Sequence, residues 1–82
     1  MKYSYTPSGV CSRNIDIEIE DGRISSVTFQ GGCHGNLQGI GSLVRGMKPQ
    51  EVIERLGGIR CGSKCTSCPD QLARALAQIA EN

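Results

Sequence analysis

The chain has 82 residues and a mass of 8.8 kDa, with 38% hydrophobic residues, 21% charged residues, 11 glycines, 5 cysteines, 2 tyrosines, 1 phenylalanine and no tryptophan. A chain this short buries only about 60–65% of the surface its unfolded form exposes, which implies one domain with a thin core and excludes a self-sufficient enzyme built on a large cofactor fold. Nine Lys and Arg against eight Asp and Glu leave a net charge of +1, with no block of like charge, so nucleic-acid or membrane binding by bulk electrostatics is not expected.

Met1-Lys2-Tyr3-Ser4-Tyr5 carries no apolar run behind its lysine, and no stretch reads as a signal peptide or a transmembrane segment. The expected location is therefore cytoplasmic. In a reducing compartment cysteines serve metal binding or redox chemistry more often than structural disulfides, and an odd count of five cannot all pair. Domains below about 80 residues also tend to need a staple or a partner beyond their core.

Tyr3 and Tyr5 alternate with polar residues and suggest a short edge strand. Asn14-Ile15-Asp16-Ile17-Glu18-Ile19-Glu20 alternates apolar and polar residues, the pattern of a strand buried on one face. Asp21-Gly22 is a strong hairpin turn signal. On the return strand Val27 and Phe29 share a parity that Ile24 lacks. A bulge at Ser25-Ser26 repairs this, setting Ile19 opposite Ile24, Ile17 opposite Val27 and Ile15 opposite Phe29. Continued outward, the same register places Cys11 opposite Cys33.

The period then changes. Gly31-Gly32-Cys33-His34-Gly35 reads as a loop, followed by helical spacing through Leu37, Ile40, Leu43, Val44 and Met47, loosened at Gly46. Pro49 opens a second short helix, with Val52, Ile53 and Leu56 on one side and Gly57-Gly58 as its stop. Ser67-Cys68-Pro69-Asp70 resembles a capping box for a last helix, whose inner stripe is Leu72, Ala73, Leu76, Ile79 and Ala80. These elements predict an α+β domain: a small antiparallel sheet of two or three strands, with about three helices packed on one face.

Three thiols fall within Cys61-Gly62-Ser63-Lys64-Cys65-Thr66-Ser67-Cys68, spaced so that one loop can wrap a tetrahedral ion. With Cys11 and Cys33 the candidate donors are five thiols and the imidazole of His34. Cys68, in the first turn of a helix, is anchored by the stripe behind it and is placed as a ligand or nucleophile. Cys61 follows a flexible glycine pair and is the thiol expected to be spare.

Thr66-Ser67-Cys68-Pro69-Asp70 spells the signature of the TSCPD domain, and the five cysteines around it resemble those of short stand-alone members, over a single domain spanning 1–82. Such domains also occur at the C-terminus of some ribonucleotide reductases, so the resemblance implies a link to deoxyribonucleotide and DNA synthesis and a metal site. A more distant similarity is to the IscU/NifU/SufU iron-sulfur scaffolds. There a cysteine precedes an amphipathic hairpin, a Gly-Cys follows it, and a third cysteine opens a final helix, the places held here by Cys11, Cys33 and Cys68. Where the scaffolds read Cys-Gly-Asp, this chain reads Cys11-Ser12-Arg13, and Ser67 stands where a histidine is expected.

Together these features point to a metal-binding module, with zinc as the metal, accessory to a larger enzyme for which ribonucleotide reductase is the named candidate. Its ligands would be Cys11, Cys33, Cys65 and Cys68, with Cys61 and His34 as substitutes. The alternatives are a thiol redox relay through Cys65 and Cys68, with a reductase or thiol-exchange protein as partner, and an iron-sulfur or sulfur carrier.

Overall fold

In the computed structural model, residues 1–10, 12–32 and 34–81 are described; Cys11, Cys33 and Asn82 lie outside that description, as do the side chains of His34, Ala80 and Glu81. Asp21 and Gly22 both take positive φ, +53° and +75°, the left-handed pair that a tight two-residue hairpin turn requires. They join β2 (Ser12–Glu20) to β3 (Arg23–Gly31). The ladder pairs Ile15 with Phe29, Ile17 with Val27, Ile19 with Ile24 and Glu20 with Arg23, in the register the isoleucine parity predicts. Ser25 is the extra residue of the bulge, and its hydroxyl donates to the Glu18 carbonyl at 3.1 Å. β1 (Lys2–Tyr5) adds antiparallel to the other side of β2, with Tyr3 opposite Ile17 and Tyr5 opposite Ile15, so the sheet has three strands in the order β1-β2-β3.

Beyond Ile15 the expected register does not continue unbroken. A second shift leaves Arg13 unpaired, with Asn14 opposite Gln30 and Ser12 opposite Gly31. In an unbroken ladder Arg13 would share the inward parity of Ile15 and Ile17 and carry its guanidinium beneath the sheet, a costly burial. The bulge leaves Arg13 exposed and turns Ser12 inward. The expected Cys11–Cys33 juxtaposition itself falls on residues outside the description.

Helix α1 (His34–Val44) starts inside the segment expected to be a loop, after Gly31 and Gly32 turn the backbone with φ of +84° and +78°. It buries Leu37, Gly41 and Val44 and half-buries Ile40, a stripe at spacings of three and four. Leu43 falls off that stripe and is 78% exposed, a correction to the inner face expected from the sequence. Gly41 permits a close approach to the sheet, since a Cβ there would lie 2.7 Å from the Val27 carbonyl oxygen. Met47 is not helical: Gly46 N–H donates to the Ile24 carbonyl and Ile24 N–H to the Met47 carbonyl, covering the outer edge of β3 beside its bulge.

Pro49 begins α2 (Pro49–Leu56), where the Glu51 carboxylate accepts the Lys48 N–H at 3.1 Å. Helix α3 (Cys68–Glu81) buries Leu72, Ala73, Ala75 and Leu76. The core joins Ile15, Ile17 and Ile24 of the sheet to Val44, Val52, Leu72, Ala75 and Leu76 of the helices. The result is a small α+β domain in which a three-stranded antiparallel sheet carries three helices on one face. No described helix is long and apolar enough to cross a membrane.

Candidate functional site

The start of α3 is held by side chains, because the first N–H groups of a helix lack partners within it. Ser67 supplies the cap: its hydroxyl oxygen accepts the Asp70 N–H at 3.1 Å while donating to the Ile59 carbonyl at 2.7 Å. The capping box predicted from the sequence is thus half formed. The Asp70 carboxylate turns to other partners, accepting the Gly58 N–H at 2.7 Å, the Thr66 hydroxyl, and the Arg74 guanidinium at 3.0 Å. Burial pushes the Asp70 carboxyl up, but the hydrogen bonds from Thr66 and Gly58 and the Arg74 charge together hold it below its ordinary value.

The network continues inward. Thr66 Oγ1 accepts Gln71 Nε2 at 2.9 Å, and Gln71 Oε1 accepts the Ser8 N–H at 3.1 Å and the Tyr5 hydroxyl at 3.5 Å. Thr66, Ser67, Asp70 and Gln71 are all buried, and among the described residues no buried side-chain nitrogen or oxygen lacks a partner. Gly9, at φ +72°, lies close against Thr66, where a Cβ would sit 3.2 Å from its methyl. Three separate segments, residues 6–10, residues 57–60 and the first turn of α3, are therefore tied together.

Those segments surround a cavity of about 230 Å³. Val10, Leu37, Ile59 and Pro69 give it apolar walls, Cys61 and Cys68 contribute thiols, and Arg60 and Lys64 line it as well. The loop bearing Cys61 is closed by Cys61 N–H donating to the Thr66 carbonyl at 3.2 Å and Lys64 N–H donating to the Cys61 carbonyl at 3.1 Å. The Cys68 thiol, half-buried, lies 3.3 Å from the Ser12 hydroxyl, the contact that the Arg13 bulge makes available. A larger opening of about 480 Å³ beside β3 and α1 has no described cysteine in its walls.

Of the sequence-predicted donors, Cys61 and Cys68 both line this cavity, whereas Cys65, exposed like Cys61, is not among its lining residues. Cys11, Cys33 and the His34 side chain are outside the description. Their described neighbours border the site: Val10 lines the cavity and Ser12 touches Cys68, on either side of Cys11, and Asn36 and Leu37 line it shortly after Cys33. Cys61, Cys65 and Cys68 are free thiols. Among the described residues, no three cysteine, histidine, aspartate or glutamate side chains form a group that could hold a metal ion.

Sequence reasoning missed Gln71 and Ser12. Gln71 precedes the apolar stripe of α3 and carries no signal that its amide is buried, while Ser12 is brought inward only by the second bulge.

No curated protein and no solved structure gives a significant match to the chain, and nothing in the comparisons links it to the iron-sulfur scaffolds. The family described as the TSCPD domain matches residues 1–80, in which Thr66-Ser67-Cys68-Pro69-Asp70 supplies the helix cap, a cavity thiol and the buried carboxylate just described. The chain belongs to the TSCPD domain family.

Proposed function

We propose that this domain is a metal-binding module, with zinc as its metal, that acts as an accessory to a larger enzyme. The observation that supports this most is the convergence of the Cys61 loop, the Cys68 turn and Val10 on one cavity, with Ser12 against the Cys68 thiol, pinned by the Thr66–Asp70–Gln71 network. Cys11, Cys33 and Cys68 would be ligands. For the fourth, the cavity favours Cys61 over Cys65, with His34 as a substitute. Soft thiolate donors suit zinc, and the ion, when bound, would supply a cross-link among segments distant in sequence. That role fits a thin core in which few large side chains are fully buried.

Membership of the TSCPD family makes a ribonucleotide reductase the candidate partner, since related domains occur at the C-terminus of some of those enzymes. The placement of Cys68 at the start of the last helix, after a β-hairpin, also supports a second reading as an iron-sulfur or sulfur carrier. Elemental analysis of anaerobically purified protein tests the first reading, with one zinc per chain expected. Visible absorbance with iron and sulfide in place of zinc would favour the carrier.

A further inference from the structure

The cavity holds two thiols of unequal exposure together with two cations. Cys61 is exposed and Cys68 half-buried, Arg60 and Lys64 lie beside them, and the chain from 57 to 69 contains no carboxylate. The nearest carboxylate in sequence, Asp70, is buried and already bonded to Gly58, Thr66 and Arg74. Cys65, three residues before Cys68 in a Cys-x-x-Cys spacing, is the expected redox partner on sequence grounds, yet it is not among the cavity's lining residues.

We propose that in the metal-free protein Cys61 and Cys68 are a redox-active dithiol that reduces anionic disulfides. The proposal rests on reading the cavity as a cysteine site and not on zinc. The Cys61 thiolate attacks one sulfur of the incoming disulfide, forming a mixed disulfide and expelling the other half as a thiolate. Cys68, held beside Ser12, then attacks the Cys61 sulfur and expels the second half. The protein loses two electrons and two protons in forming the Cys61–Cys68 bond, and the incoming disulfide gains them as two thiols. Exposed Cys61 is the group that an outside molecule can reach, and half-buried Cys68 is the resolving group. Arg60 and Lys64 select for carboxylate-bearing disulfides by charge.

The test uses the full chain, stripped of metal with a chelator and treated with oxidised glutathione, followed by acid quenching and peptide mapping by mass spectrometry. A Cys61–Cys68 crosslink is expected, unchanged in Cys65→Ser, with a stable mixed disulfide on Cys61 accumulating in Cys68→Ser. At low ionic strength, the ratio of the rate with oxidised glutathione to that with the dication cystamine is expected to fall about threefold or more in the Arg60→Gln/Lys64→Gln double variant. A bond from Cys68 to any other cysteine, or an unchanged ratio, overturns the proposal. Zinc is measured on the same preparation before chelation, so failure of exchange is distinguishable from failure of the metal reading.

Discussion

Asp70 illustrates how one side chain positions a site without belonging to its chemistry. Its carboxylate joins the Gly58 N–H, two residues after α2 ends, to the Thr66 hydroxyl in the turn before α3. In Asp70→Asn one amide oxygen can keep one partner, but the NH₂ group faces another donor, and Arg74 loses its counter-charge. Hydrogen bonds to a buried charge are worth about 1.5–3 kcal/mol, whereas the mostly exposed Arg74 adds little. A loss of about 2 kcal/mol is expected at pH 7, or roughly 10 °C in melting temperature for a domain of this size, measurable by thermal and urea denaturation. The sign of the pH dependence follows from a lowered pKa. The Asp70 contribution is fully present above the ordinary value of 3.8 and is lost as pH falls through the lower folded value. The stability of the wild type should therefore decline below about pH 4 more steeply than that of Asp70→Asn.

A second expectation at this scale concerns Gln71. Gln71→Leu removes the acceptor of the Ser8 N–H and the amide donor to Thr66, whose hydroxyl keeps its bond to Asp70. A cost of about 0.5–1.5 kcal/mol follows, with faster hydrogen exchange concentrated in residues 6–10 as the distinguishing readout.

Among the elements, α1 carries glycines with opposite roles. At Gly41 an added Cβ would lie 2.7 Å from the Val27 carbonyl oxygen, so Gly41→Ala should push the helix off β3 and destabilise the domain by about 1–3 kcal/mol. At Gly39 an added Cβ meets nothing within 4 Å, and Gly39→Ala should stabilise by about 0.5–1 kcal/mol through helix propensity. Denaturant titration of the two variants checks both signs. Glycine content also explains why the sequence marks the bounds and inner face of α1 only in part. The hairpin register was legible because Asp21-Gly22 fixes the turn and the isoleucine parity fixes the bulge at Ser25. By contrast, the start of α1 at His34 lies among glycines that carry no periodicity, and Val44, not Leu43, completes the inward stripe. The second bulge was hidden because only the sheet's inner face makes Arg13 unacceptable there.

At the scale of the whole molecule, the cysteines were legible as a group but their grouping in space was not. Spacing alone favours Cys65 with Cys68, while the closed turn over 61–66 brings Cys61 to the cavity. The polar network behind the turn depends on Gln71, whose burial the sequence does not signal. A zinc site at the cavity therefore distinguishes the three loop thiols: Cys61→Ser and Cys68→Ser should each lose zinc, and Cys65→Ser should retain it. Elemental analysis of the purified variants gives the comparison directly. Zinc loss should also lower thermal stability, because a bound ion contributes folding free energy.

Whether the cysteines form a zinc site is decided by zinc content together with reactive thiols before and after chelation, measured on anaerobically purified wild-type protein. One zinc per chain and four thiols that become reactive only when the metal is removed are expected. Five thiols reactive from the outset, with no metal in the protein, would contradict it.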